Sequence, residues 1–272
     1  MMDFSKYCAH EAVNWSSLKH MRDSALAYRY RQDVPRDDTP ALALGRLTHA
    51  LVFEPETIDR DYAIWEGGAR RGKAWLEFEE ANAGRTIFKP DEIDEATQMA
   101  DAVRRHHLVQ PYLDGGVFES SLFWRDEATG MDCKARPDWL LEDRRILLDL
   151  KTARSIDGRR FGAAAASYGY HCQLAHYAAG VLAVHGWLPK RVLIVAVEKD
   201  GPHDVAVFEL DSDALWAGQE EVKELMERLR QCKMLDKWPG RYQDEQALQL
   251  PAWMFLEDED GDAEALGLVV GE

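Results

Sequence analysis

The chain has 272 residues, of which 46% are hydrophobic and 30% are charged. This composition supports a sizeable buried core, which excludes global disorder, and the length suits one large domain or one domain with an added lobe. The longest apolar stretches fall short of the roughly 18 residues of a membrane span, and the N-terminus lacks the basic start and apolar segment of a secretory signal. We therefore expect a cytoplasmic protein with no membrane partner.

The net charge of −16 argues against a protein that coats nucleic acid through its overall field. Seven of the acidic residues lie in the segment 257–272, which has no Lys or Arg and which we expect to be a disordered tail. The rest of the chain carries −9, but it contains local basic clusters. The candidates for contacts with DNA phosphates are Arg70, Arg71, Lys73, Arg159 and Arg160.

The four cysteines lie far apart in the sequence, at Cys8, Cys133, Cys172 and Cys232. Because none of them forms a C-x-x-C pair, a zinc ribbon is excluded. Reduced, unpaired thiols are the default for an intracellular chain, and an iron–sulfur cluster is not expected.

The first part of the chain, about 1–114, has the apolar spacing of helices. We predict helices over 15–30, 41–53, 74–83 and 91–107. The last of these follows Pro90 and begins with acidic residues, which suit the positive end of a helix dipole.

The pattern changes to that of strands at about residue 115, and we expect a core domain over about 115–235. The predicted strands are 117–124, 131–141, 145–151, 191–198 and 204–210, and the predicted helices are 170–186 and 212–234. The sequence therefore predicts an α/β (α+β) fold, with a mixed central sheet flanked by helices and an N-terminal helical lobe. We treat 1–256 as a single domain.

A charged constellation lies within the predicted strands. Asp149 and Lys151 are two residues apart, so both point to one face of their strand. The turn before that strand brings Asp138 back beside Asp149. Charged groups in so apolar a strand are costly unless they are paired or bound to a metal, and two close carboxylates suit Mg²⁺ or Mn²⁺.

The pattern Pro137-Asp138-(x)₁₀-Asp149-x-Lys151 resembles the PD-(D/E)xK nuclease superfamily. Gln173 and Tyr177, one helical turn apart, are similar to the Gln-x-x-x-Tyr pair of its RecB-type branch. More specifically, Tyr28-Arg29-Tyr30, Leu44-Gly45-x-x-x-His49-Ala50-Leu51 and Phe53-Glu54-Pro55-Glu56 resemble the RecE (exonuclease VIII) nuclease domain. Glu119 lies in a segment similar to the one before the active site of lambda exonuclease.

The resemblance implies a restriction-endonuclease-like core and a role for each matching residue. Asp138 and Asp149 would be the main metal ligands, joined by a ring nitrogen of His49 and the carbonyl of Leu150. The catalytic group would comprise Asp138, Asp149, Lys151, Glu119, Gln173 and Tyr177, with Lys151 positioning the water and stabilising charge on the phosphate.

The activity implied is a Mg²⁺- or Mn²⁺-dependent exonuclease that degrades one strand of duplex DNA from its end, 5′ to 3′, in phage-type homologous recombination. By this resemblance, the partner would be a RecT-type single-strand annealing protein that coats the strand left behind. Enzymes of this kind are often ring-shaped, so a homo-oligomeric trimer or tetramer is expected. Two alternatives remain open on the residues alone. One is a nicking or structure-specific endonuclease on the same fold, and the other is a non-catalytic module that binds DNA or protein.

Overall fold

The computed structural model describes residues 4–34, 38–251 and 254. Its helices, in chain order, are α1 Phe4–Ala9, α2 Trp15–Leu18, α3 Ala25–Asp33, α4 Pro40–Phe53, α5 Ile58–Asp61, α6 Lys73–Ala81, α7 Pro90–Arg105, α8 Gln110–Leu113, α9 Gly158–Tyr168, α10 Tyr170–His185 and α11 Ser212–Leu235. Its strands are β1 Tyr62–Ile64, β2 Thr86–Phe88, β3 Val117–Phe118, β4 Leu122–Arg125, β5 Asp132–Ala135, β6 Trp139–Leu141, β7 Ile146–Ala153, β8 Arg191–Glu198 and β9 Val205–Glu209. The acidic segment 257–272 lies outside the described residues.

The N-terminal helices are shorter than the sequence predicts. The single helix expected over 15–30 is wrong, because α2 and α3 are separated by a 3₁₀ turn and a new cap. Asn14 caps α2 through its side-chain oxygen, and Ser24 caps α3 by accepting from the N–H of Ala27 at 3.0 Å. Ser24 takes an extended backbone conformation to do so, and a helix cannot run through it.

Helices α4 and α7 form one layer of the molecule. Thr39 caps α4 and Pro40 occupies its first turn, where a missing N–H removes no helical hydrogen bond. The two helices pack together through Leu47 and Ala96, and they bury Phe53 with apolar side chains of the main sheet. The predicted bounds of both helices are confirmed within two residues.

The main sheet has five strands in the order β3-β6-β7-β8-β9. Strands β7 and β8 are parallel, and the other neighbouring pairs are antiparallel, so the sheet is mixed. The strand predicted over 191–198 is confirmed as β8, and the strand predicted over 204–210 is confirmed as β9, which lies at an edge of the sheet. Helix α10 supplies the crossover between β7 and β8.

Alternate residues of β7 face different layers. Leu148 and Leu150 pack with the α4–α7 layer, whereas Leu147 packs with Phe161 of α9 and Leu174 of α10. All three leucines are buried, so β7 is covered on both faces. This arrangement confirms the α/β fold with a mixed sheet flanked by helices.

Two of the predicted strands are each divided between two sheets. The span 117–124 divides into β3 and β4, and the span 131–141 divides into β5 and β6. Glu119 ends β3 with φ of +50°, and Arg136-Pro137-Asp138 separates β5 from β6. Strands β4 and β5 pair with each other away from the main sheet. Each break leaves a charged side chain next to the end of β7.

A small lobe follows α4 and was not predicted in detail. Its strands β1 and β2 pair in parallel, and α6 lies between them in the sequence. Helix α9, which follows β7, was also not predicted; it is rich in Ala and Gly, and Phe161 is its one buried residue. Within the described ranges, none of the helices is both long enough and apolar enough to cross a bilayer.

Candidate active site

A hairpin places the two acidic residues of the sequence pattern opposite each other. Strands β6 and β7 are antiparallel, with Trp139 paired to Leu148. The next residues along this register are Asp138 and Asp149, which are 8% and 1% exposed. The expected convergence of the two carboxylates at one end of the hairpin is therefore present.

Asp138 is fixed by the backbone of β7. Its Oδ2 atom accepts a hydrogen bond from the N–H of Leu150 at 2.7 Å. The Nδ1 atom of His49, on α4, lies 3.4 Å from the same oxygen. Gly45 of α4 faces Thr152 of β7, and a Cβ atom at Gly45 would lie 3.4 Å from the hydroxyl oxygen.

Asp149 is held from two sides. Its Oδ2 atom forms an ion pair with Lys151 on the same face of β7. Its Oδ1 atom accepts from Nε2 of Gln173 at 3.3 Å, and that Nε2 also donates to the hydroxyl of Tyr177 at 2.8 Å. The Gln-x-x-x-Tyr pair of α10 therefore contacts the carboxylate that precedes Lys151.

Glu119 is held at the site by Arg136, a residue to which the sequence patterns assign no role. Its N–H donates to the carbonyl of Asp138 at 3.0 Å. Nε of Arg136 donates to Oε2 of Glu119 at 2.7 Å, and a second guanidinium nitrogen lies 3.9 Å from Glu54. Arg136 adjoins the Pro-Asp motif, which was the one signal that could have suggested it.

The site crowds negative charge into a region of low dielectric. Burial and the nearby Asp138 raise the pKa of Asp149, against the opposing effect of Lys151. The same two causes raise the pKa of Glu119, against the effect of Arg136. Burial disfavours the charged form of Lys151, but Asp149 and Asp138 outweigh it and raise its pKa. Lys151 is therefore an ammonium at neutral pH.

The arrangement fits a divalent cation. Ligand atoms of His49, Glu119 and Asp138 lie within 4.8 Å of one another. Oδ2 of Asp149 is buried without a hydrogen bond, its contact being the ion pair with Lys151. Carboxylate oxygens with one imidazole nitrogen are a suitable donor set for Mg²⁺ or Mn²⁺, and a cation would relieve the repulsion between the carboxylates.

The basic residues expected to contact DNA fall into two groups. Arg70 is occupied within the small lobe, where it pairs with Glu92 at 2.5 Å and donates to the carbonyl of Ile87 at 3.1 Å. Arg70 is nevertheless exposed, as are the other four candidates, Arg71, Lys73, Arg159 and Arg160. Of these, Arg159 and Arg160 lie in the first turn of α9, which follows the end of β7 that carries Asp149 and Lys151.

Residues 14–249 match the family described as a PDDEXK-like domain of unknown function, DUF3799. The chain belongs to this DUF3799 family. The match covers the hairpin, α4, α9 and α10, and so includes every residue placed at the site above. No curated protein sequence matches the chain significantly.

Solved structures align with this DUF3799 chain at low sequence identity. A protein from Eubacterium rectale, provisionally named as an exonuclease, aligns with a TM-score of 0.63 and 15% identity over 92% of this chain and 96% of its own. A phage-related exonuclease from Haemophilus somnus 129PT aligns with a TM-score of 0.36 and 12% identity over 86% of this chain and 100% of its own. The first likeness shows a shared fold.

Proposed function

We propose that this chain is a Mg²⁺- or Mn²⁺-dependent DNA exonuclease that hydrolyses phosphodiester bonds from duplex ends. The observation that carries the proposal is the convergence of Asp138, Asp149 and Lys151 at one end of the β6–β7 hairpin, with His49 3.4 Å from Asp138. These are the residue types that metal-assisted phosphodiester hydrolysis needs. The names of the structural relatives agree with the proposal.

The cation would be held by Asp138, Asp149 and His49, with Glu119 and the carbonyl of Leu150 as further donors. The chemistry that it supplies when bound is Lewis-acid polarisation of the phosphate and a lower pKa for water. Lys151 positions the attacking water and donates to a phosphate oxygen as charge grows on it.

The helix α10 residues have a supporting role. Gln173 orients Asp149 through the 3.3 Å hydrogen bond, and the buried hydroxyl of Tyr177 fixes the amide of Gln173. Because Nε2 of Gln173 donates to both Asp149 and Tyr177, the amide is held in one orientation and keeps the carboxylate in place before substrate arrives.

Substrate binding rests on local charge. Arg71, Lys73, Arg159 and Arg160 are exposed and would contact DNA phosphates, and Arg70 would join them only by leaving Glu92. Because the net charge is −16, DNA affinity must rest on these few local contacts. The affinity for DNA should therefore fall as the salt concentration rises.

The finer assignment follows the RecE-like resemblance. It comprises 5′-to-3′ polarity, a role in phage-type recombination, a RecT-type annealing partner and a ring-shaped trimer or tetramer. A ring would keep the enzyme on its DNA between successive cuts.

The deciding experiment compares linear duplex DNA, labelled at the 5′ or the 3′ end, with closed circular plasmid. Wild type and Lys151→Ala are assayed with Mg²⁺, Mn²⁺ and EDTA, and Lys223→Ala, an exposed lysine on α11, is the matched control. We expect loss of linear DNA from its 5′ ends with wild type and Lys223→Ala, and none with Lys151→Ala or EDTA.

The rival functions give different results in the same assay. Cutting of the closed circle would favour an endonuclease on the same fold. DNA binding without cleavage in either metal would favour the non-catalytic module.

A further inference from the structure

A half-buried aromatic side chain lies beside the lysine of the site. The Nζ atom of Lys151 sits 4.9 Å from the ring centroid of Tyr170, the first residue of α10. The ring of Tyr170 is in turn 5.7 Å from the ring of Tyr168, at an interplanar angle of 33°. Tyr168 is 64% exposed, so the aromatic row runs from the candidate active site out to solvent.

The turn that carries Tyr168 is firmly held. Gly169, between the two tyrosines, has φ of +71°, and a Cβ atom there would lie 2.5 Å from the ring of Trp15. Arg22 donates to the carbonyls of Ser167 and Ala166, at 3.0 and 3.3 Å. Its Nε atom also pairs with Glu221 at 2.6 Å. A fixed backbone therefore presents an exposed ring, and a ligand that stacks on the ring would pay little ordering entropy.

Tyr170 supports the exposed ring from behind. It packs on Phe161, which is 4% exposed, with ring centroids 6.2 Å apart. One face of the aromatic row is thus backed by the core, and Tyr168 is the next ring outward from the one that Lys151 contacts.

We propose that Tyr168, backed by Tyr170, is a stacking platform for an unpaired nucleobase of the strand being cut, a subsite that rests on the proposed function. Aromatic rings bind bases of any sequence because every base has a π face. Inside a duplex both faces of a base are covered by its neighbours. Only a terminal or unpaired base offers a free face, so the platform favours DNA ends and single strands over closed duplex.

The basic residues of α9 suit this arrangement. Arg159 and Arg160 lie at the start of the helix and Tyr168 is its last residue, which places them roughly 12–14 Å apart along the axis. The same helix therefore carries cationic side chains in its first turn and an aromatic ring at its last residue.

The test uses a 12-nucleotide single strand with 2-aminopurine next to its 5′ end, in EDTA so that it stays intact. Stacking on a ring quenches 2-aminopurine fluorescence, and anisotropy of a second label gives the Kd. The variants are Tyr168→Ala and Tyr168→Phe, and the matched control is Tyr242→Ala, a residue that is 66% exposed elsewhere on the surface.

We expect Tyr168→Ala to raise the Kd by about tenfold and to remove the quenching. Tyr168→Phe keeps the ring and should retain both, and Tyr242→Ala should match wild type. In Mg²⁺, Tyr168→Ala should raise KM for the single strand while kcat stays within about twofold of wild type, because the ring binds the base and takes no part in hydrolysis. A probe with 2-aminopurine in the middle of a blunt duplex is already stacked between its neighbours and should show little further quenching when the protein binds.

The outcomes separate this inference from the proposed function. If wild type degrades linear DNA but Tyr168→Ala binds and quenches like wild type, the platform is refuted and the nuclease stands. The same holds if Tyr168→Ala changes only the oligomeric state. If wild type neither binds nor cuts DNA, both proposals are overturned.

Discussion

Oδ2 of Asp138 accepts a hydrogen bond from the backbone N–H of Leu150 at 2.7 Å. Strand β6 pairs with β7 from Ile146 to Leu148 and then stops, so the N–H of Leu150 has no strand partner on that side. The carboxylate of Asp138 takes the place of the missing strand. The same atom is therefore part of the candidate site and part of the sheet's hydrogen bonding.

Two substitutions at Asp138 should separate these roles. Asp138→Asn keeps an oxygen that can accept from Leu150, so we expect nearly wild-type stability but loss of cleavage. Asp138→Ala leaves a buried N–H unpaired and should also lower the free energy of unfolding by about 1–3 kcal/mol. Urea denaturation and the linear-DNA assay measure the two effects. Equal stability of the two variants would contradict the structural role.

Removing both charges of the Asp149–Lys151 ion pair should restore stability that removing one charge loses, but it should not restore activity. In EDTA, Lys151→Met leaves the carboxylate of Asp149 buried without its cation, and we expect a loss of about 3 kcal/mol in the free energy of unfolding. The double variant Asp149→Asn/Lys151→Met removes both charges and should recover most of that loss while remaining inactive. A double variant as unstable as the single one would refute this account.

His49 is expected to act through metal affinity. Its Nδ1 atom is 3.4 Å from Asp138, so His49→Ala removes one proposed ligand and leaves the carboxylates in place. Activity should then need at least about tenfold more Mn²⁺ for half-maximal rate. His107→Ala, an exposed histidine after α7, is the control and should leave the Mn²⁺ titration unchanged. An unchanged titration for His49→Ala would remove it from the ligand set.

The buried His176 should make the free energy of unfolding depend on pH. It is buried against Trp124, and its Nε2–H donates to the carbonyl of Lys134 at 3.1 Å. Burial lowers the pKa of His176 to about 4, whereas the unfolded chain titrates near 6.5. Between those values only the unfolded state takes up the proton. Above about pH 6.5, His176 therefore causes no loss in the free energy of unfolding. As the pH drops to about 4, the free energy of unfolding falls by about 3 kcal/mol because of this group.

His176→Gln keeps a donor for the carbonyl of Lys134 but cannot titrate. Its unfolding free energy should therefore change less steeply than that of wild type between pH 6.5 and 4. Chemical denaturation at several pH values measures both slopes. Parallel slopes for the two proteins would show that His176 does not cause the dependence.

Two glycines provide a matched test of helix packing. A Cβ atom at Gly218 of α11 would lie 2.5 Å from the carbonyl oxygen of His171, which belongs to the backbone of α10 and cannot move freely. We expect Gly218→Ala to destabilise the protein by about 1–3 kcal/mol. Gly162→Ala, in α9 and facing open space, should instead stabilise by up to about 1 kcal/mol. Thermal unfolding of the two variants should shift in opposite directions.

The sequence predicts best where one pattern continues over many residues. Strand β8 and helices α4, α7, α10 and α11 have long apolar patterns, and their observed bounds agree with the predictions within two residues. The break at Glu119 was missed because its φ of +50° is imposed by the surroundings, and no local residue type demands it. The parallel pair β1–β2 was missed because each strand has three residues and its partner is distant in the chain.

The candidate site divides in the same way. The relation of Asp149 to Lys151 follows from strand alternation, and the hairpin that returns to Asp138 follows from the turn residues. The contacts of Arg136 with Glu119 and Glu54 join three separate segments, so no spacing rule could have found them. The pairing of Arg70 with Glu92 could not be predicted either, because a loop has the same composition whether its arginine is free to bind a ligand or paired within the protein.

The two layers on β7 have a consequence for synthesis of the chain. His49 comes from α4 on one face of the sheet, whereas Gln173 comes from α10, which packs on the other face. More than half of the sequence must therefore leave the ribosome, and both faces of the sheet must be covered, before these groups meet. A nascent or half-folded chain carries the acidic residues but no assembled centre, which would keep its hydrolytic chemistry silent until folding is complete.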